Sequence, residues 1–198
     1  MKLLESRVRA EGHALDERVL LVDSFLNHQV DPELMLEIGK EFARLFANEA
    51  VTRVVTVESS GIAPAAMTAL VMRLPLVIMK KYPQRRNLAG LLETEVYSFT
   101  KNQPYILTVK QEFLHPGDRV LLIDDFLANG EAAFGAIRLI EAAGAVACGV
   151  GTVVCKSFQP GKGRLLEKGY RVEALADVAY MKKDTIRFVG EESCNWPI

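Results

Sequence analysis

Apolar residues recur along this chain in two rhythms. In DPELMLEIGKEFARLFAN (31–48), Leu34, Ile38, Phe42 and the Leu45–Phe46 pair return at helical spacing, which predicts a helix with one buried face. Asp31 is a natural N-cap for it, and Pro32 fits the first helical position. The second rhythm is the short continuous apolar run. TRVVTV (52–57), LPLVIM (74–79), VLLI (120–123), VACGVGTVVCK (146–156) and YRVEALA (170–176) each predict a buried strand. Helices are expected after ESSG, over 131–144 with Gly144 at its C-terminal stop, and briefly after KSFQPGKG. KKYPQRRNLAGLLETE (80–95) is cationic at first and has no clean period, so it predicts a mobile loop. VYSFTKNQPYILTVK (96–110) predicts a hairpin turning near Asn102–Pro104, and HPGD (115–118) a turn into the next strand.

Strands alternating with helices predict an α/β fold, a mainly parallel central sheet flanked by helices, in a single domain over residues 1–198. Ligands of such sheets bind beyond the carboxyl ends of the strands. That rule marks three loops: Glu58–Gly61, Asp124–Gly130 and Lys156–Gly161.

Composition narrows the classes. The net charge of −1 removes any bulk electrostatic case for nucleic acid or an anionic membrane surface as partner. The apolar runs stop well short of the roughly 20 residues a membrane span needs, and the N-terminus is charged rather than leader-like. Cys148, Cys155 and Cys194 show no metal-ligand spacing and read as reduced thiols of a cytoplasmic protein, the first two as core filling.

The stretch VLLIDDFLANGEAA (120–133) carries the chemistry. The unpaired N–H groups that open a helix favour an anion, and Ala128, Asn129 and Gly130 are small enough to let the backbone approach a phosphate. Asp124 and Asp125 are poor phosphate ligands but good acceptors for the hydroxyls of a sugar diol. A ribose 5-phosphate satisfies both halves. The bland alternative is a strand cap, a solvent-facing acid and an Asn-Gly turn. Glu131 cuts against the phosphate reading, since its side chain must point away and leave only its N–H to help.

Four apolar residues, two acidic ones and a small-residue loop resemble the signature of the type I phosphoribosyltransferases, which take ribose 5-phosphate from phosphoribosyl pyrophosphate (PRPP). VDSFLNHQVDP, VESSGIAPA, VYSFTK and KSFQPG extend the likeness over about residues 1–190 and bring it close to the bacterial branch that acts on xanthine. The resemblance implies a hood built from residues 1–30 and 156–190, a lid over 80–95, and a homodimer. It implies magnesium carried by PRPP and water rather than by side chains, which suits hard-oxygen chemistry. It places Asp124 and Asp125 at the ribose hydroxyls as catalytic residues, and Ala128, Asn129, Gly130, Glu131 and Ala132 at the 5-phosphate. It assigns the pyrophosphate to Glu58, Ser59, Ser60 and Gly61, often around a cis peptide, and to Lys81, with Arg85 and Arg86 weaker. Leu20, Asn27 and Lys156 fall at the purine. Lys156 brings positive charge to a carbonyl or partly deprotonated base, Asn27 a two-way hydrogen-bonding edge, and Leu20 an apolar wall. Relatives acting on hypoxanthine and guanine carry an aspartate where this chain has Ala128, so no side chain of the loop is a proton acceptor. The rival readings are transfer to another purine, a non-catalytic PRPP-sensing regulator and a sugar-phosphate-binding protein.

Overall fold

The computed structural model describes residues 1–98 and 102–191. In chain order the elements are α1 (Lys2–Glu11), β1 (His13–Ala14), β2 (Leu20–Leu21), a π-helical turn (Asp23–Asn27), α2 (Pro32–Leu45), β3 (Arg53–Val57), α3 (Ile62–Met72) and β4 (Leu76–Tyr82). There follow β5 (Leu91–Ser98), β6 (Gln103–Lys110), a short 3-10 turn, β7 (Arg119–Leu127), α4 (Glu131–Ala142), β8 (Val146–Lys156), α5 (Gly161–Glu167), β9 (Val172–Lys182) and β10 (Thr185–Phe188).

The main sheet has the order β10-β9-β8-β7-β3-β4-β6-β5. Its five central strands, β9 to β4 along that order, are parallel, while β10, β6 and β5 add on antiparallel. The continuous apolar runs follow from burial on both faces. In β7, Leu121 and Ile123 join α1, α2 and α3 in one core, whereas Val120 and Leu122 join α4 in the other. Asp31 caps α2 as its sequence requires, its carboxylate accepting from the Glu33 and Leu34 N–H groups at 3.1 Å each. Glycine in β8 makes room for α2: a methyl at Gly151 would lie 2.7 Å from Phe42 Cε1.

The N-terminal segment closes over the far edge of the sheet. The Met1 amino group bonds the Leu175 carbonyl, and the Asp184 N–H donates to the Ala14 carbonyl at 3.0 Å. Arg9 stacks on Phe188.

Three expectations need correction. Residues 80–95 are not a loop throughout: β4 runs on to Tyr82 and β5 begins at Leu91, because both pair with β6. The irregular stretch between them is itself held, as the Glu93 carboxylate accepts from the Arg86 and Asn87 N–H groups. The strand at 120–123 does not stop at the acidic pair but continues to Leu127, with Asp124 facing Thr152 and Leu127 facing Cys155 on β8. β9 runs to Lys182 and turns back as β10, an edge strand absent from the sequence reading. The hairpin expected over 96–110 forms, with Ser98 facing Gln103 and Asn102 at φ of 51° beside its turn; residues 99–101 lie outside the described residues, as does Cys194.

Candidate active site

From β3 the chain proceeds outward to β4, and from β7 it proceeds the other way to β8 and β9. β3 and β7 are therefore the neighbours at which the winding reverses, and a crevice opens beyond their carboxyl ends. Asp124 and Asp125 stand on β7 just past that point. The Asp125 N–H donates to Asp124 Oδ1 at 3.0 Å. Burial holds the Asp124 carboxyl well above the usual carboxylate range, the adjacent Asp125 charge raises it further, and Lys81 opposes both.

The Glu58–Gly61 turn packs directly on this acid. A methyl at Gly61 would sit 2.7 Å from Asp124 Oδ1 and 2.5 Å from Thr56 Oγ1, so only glycine allows the approach. The Glu58–Ser59 peptide is cis. Burial would raise the Glu58 carboxyl, but the Lys81 N–H and the Lys80 ammonium hold it below its ordinary value. Their distances to its two oxygens are 2.6 and 3.2 Å.

One pocket joins Lys81, Asp124, Phe126 and the whole of Ala128–Ala132, walled on the other side by Tyr97, Ser98 and Tyr105 of the β5–β6 hairpin. Lys81 Nζ lies 5.5 Å from the Tyr105 ring centre. Burial and then the Asp124 charge push the Tyr105 hydroxyl up to about 12.

Gly130, with φ of 87°, turns the chain into α4. The loop before it is pressed against the start of α5. The Gly161 N–H donates to the Ala128 carbonyl at 2.9 Å. A methyl at Gly161 would stand 2.3 Å from that oxygen and 2.7 Å from the Gly130 nitrogen. Gly161→Ala must therefore displace the loop, at a cost of about 2 kcal/mol and a Tm lower by about 6 °C. Calorimetry together with a raised KM for the phosphate-bearing substrate would check it; an unchanged Tm would refute the close fit.

Lys156, at the end of β8, is 8% exposed, which makes it the one buried lysine among the described residues. Its ammonium bonds the Arg18 carbonyl and lies 5.3 Å from the Phe126 ring centre. Burial pushes its pKa down, and the Asp16 and Asp125 carboxylates pull it back. Phe126 thus ties Lys156 to the pocket. Lys156 itself, Leu20, Asn27, Asp125 and the Glu58–Gly61 turn do not line this pocket. Leu20 is buried in the core, and Asn27 is exposed at the end of the π-helical turn. Lys80 pairs with Glu58, and Arg86 stacks on Tyr82.

Sequence reasoning missed Tyr105, the hairpin wall and Arg164, since nothing local marks them. Arg164 Nη1 reaches Glu131 Oε1 at 2.6 Å and the Asn129 carbonyl at 2.8 Å, across more than thirty residues of chain. Among the described residues no group of three or more His, Cys, Asp or Glu is placed to hold a metal ion.

Solved structures share this fold. The adenine phosphoribosyltransferase of Giardia lamblia, solved with 9-deazaadenine, superposes with a TM-score of 0.73 at 20% identity, covering 87% of this chain and 96% of that one. That of Trypanosoma brucei, solved with AMP, pyrophosphate and ribose-5-phosphate, gives 0.73 at 19% identity, covering 87% and 78%. The fold is that of the type I phosphoribosyltransferases. Curated sequences go further. A xanthine phosphoribosyltransferase of an Exiguobacterium species is 56% identical over 96% of this chain and 98% of its own length. One of Clostridium acetobutylicum is 50% identical over 96% of this chain and 100% of its own. No family model matches the chain. With relatives so similar over nearly all of both chains, this protein belongs to the xanthine phosphoribosyltransferase family.

Proposed function

We propose that the protein transfers the 5-phosphoribosyl group of PRPP to N9 of xanthine, releasing pyrophosphate and xanthosine 5′-monophosphate, a purine-salvage reaction. The observation that carries this reading is the single pocket shared by Asp124, Lys81 and the Ala128–Ala132 loop, on a chain with xanthine phosphoribosyltransferases as relatives. In this reading, the N-terminus of α4 and its loop hold the 5-phosphate through backbone N–H groups. Asp124 and Asp125 accept from the ribose hydroxyls, while Lys81 and the Glu58–Gly61 turn receive the pyrophosphate.

In the reaction the bond from the anomeric carbon to pyrophosphate breaks as the N9 bond forms. Pyrophosphate leaves with the electron pair, and the N9 proton passes to solvent. Positive charge builds on the ribose beside the carboxylates, and negative charge builds on the leaving group beside Lys81. Ala128 offers no proton acceptor, so Lys156 has the larger part: its ammonium favours the xanthine form that has already lost a proton. Leu20 and Asn27 complete the purine subsite in this reading. Magnesium, held mainly by PRPP oxygens and water, would neutralise the pyrophosphate; the hard oxygens of the acidic pair fit such a partner.

Residues 1–30 with 156–190 form the hood in this reading. Homodimerisation is supported by an apolar groove lined by Leu76, Ile78, Leu88, Leu91 and Phe113. No helix among the described residues is long and apolar enough to cross a membrane; the free thiols Cys148 and Cys155 favour a reducing, cytoplasmic setting.

Incubation with PRPP, magnesium and xanthine should yield nucleotide and pyrophosphate in equal amounts, and chelation of magnesium should stop it. Pyrophosphate without nucleotide would leave only hydrolysis and refute transfer.

A further inference from the structure

Glu131 poses a problem that the phosphate reading alone leaves open. It occupies the first position of α4, where the helix dipole and free N–H groups attract an anion, and its own carboxylate competes for that place. It also lines the same pocket as Asp124. An unopposed carboxylate there repels an incoming phosphate dianion.

Arg164 of α5 answers it. One guanidinium nitrogen donates to both Glu131 Oε1 (2.6 Å) and the Asn129 carbonyl (2.8 Å). The group is fixed by the Phe134 ring, 4.8 Å from its centre. Three residues earlier, Gly161 grips the same loop through its N–H and the Ala128 carbonyl. The short helix α5 thus holds both ends of the small-residue segment, once by backbone and once by charge. It follows directly on the short loop after Lys156 at the end of β8, so the two subsites share one brace.

We propose that Arg164 is a positioning residue of the 5-phosphate subsite, drawing the Glu131 carboxylate aside and cancelling its charge so that the loop presents N–H groups to phosphate. This rests on the reading of Ala128–Ala132 as the phosphate loop. A guanidinium that merely stacked on Phe134 would not need its partner charge, and one that touched phosphate itself would be needed whether or not Glu131 were ionised. A double-mutant cycle separates the proposed role from the other two.

The probe is ribose 5-phosphate, titrated calorimetrically into the full-length protein and its variants, alongside KM for PRPP and kcat. Arg164→Gln should weaken ribose 5-phosphate and raise KM for PRPP about tenfold with little change in kcat, the loss shrinking as salt rises. Glu131→Gln alone should bind at least as well as the parent. The double variant Arg164→Gln with Glu131→Gln should return to near-parent affinity. A double variant as weak as Arg164→Gln would overturn the proposal in favour of direct contact or simple bracing. Activity of the unmodified protein judges the phosphoribosyl-transfer reading separately: should ribose 5-phosphate bind and the cycle close with no transfer to any purine, that reading fails and the role of Arg164 stands.

Discussion

Asp124→Asn is expected to make the protein more stable and nearly inactive. Burial and the Asp125 charge raise the Asp124 carboxyl well above its ordinary value. A carboxyl raised in this way contributes stability only while protonated. That contribution is complete below the unfolded value of about 4 and is lost as pH climbs through the raised folded value, so at neutral pH the charged form is a cost. Asparagine keeps the shape and removes the cost. Because Asp124 is half-buried as a residue rather than fully enclosed, the gain is expected to be modest, about 1 kcal/mol or about 3 °C in Tm at pH 7. The gain should disappear in acid. Activity should move the opposite way, kcat/KM for PRPP falling about 10²–10³-fold as the charge facing the developing positive ribose is lost. Differential scanning calorimetry at pH 7 and pH 4, beside initial rates, checks both. A variant less stable at pH 7 would contradict the strained-acid account.

Lys156→Met should separate base recognition from sugar recognition. Its ammonium is buried, stacked on Phe126 and bonded to the Arg18 carbonyl. Removing the charge-assisted hydrogen bond that this ammonium offers the base in the proposed reading costs about 2–3 kcal/mol, so kcat/KM for xanthine should fall about a hundredfold. KM for PRPP should hardly change, since the phosphate loop and acidic pair are untouched. Stability should not suffer, because burial already disfavours this ammonium. Equal losses for xanthine and PRPP would mean that Lys156 braces the site rather than reading the base.

The parts legible in the sequence are those whose physics is local. The cap and apolar face of α2 depend on residues a few places apart, and so do the runs that fill both faces of β3, β7 and β8. The acidic pair with its small-residue loop is likewise one continuous stretch. The misses depend on partners far away in sequence. β4 carries Lys80–Tyr82 beyond the apolar interior because β6 returns beside it, so neither alternation nor hydrophobicity announces those residues as strand. β7 holds two acids within a ladder because β8 continues alongside. β10 is an edge strand stabilised by pairing with β9 alone. At the site, the sequence gives no hint that Arg164 answers Glu131, or that Tyr105 closes the pocket over Asp124. Asn27, Leu20 and Lys156 show the opposite limit: their purine roles come from resemblance, and none of the three lines the pocket beside Asp124.

Whether phosphoribosyl goes to xanthine is decided by initial rates with PRPP and magnesium against xanthine, guanine, hypoxanthine and adenine in separate reactions, following nucleotide formation. The highest kcat/KM is expected for xanthine, with weaker use of guanine, which shares the six-carbonyl, and little of adenine. Preferential use of adenine or hypoxanthine, or nucleotide from none of the four, would contradict it.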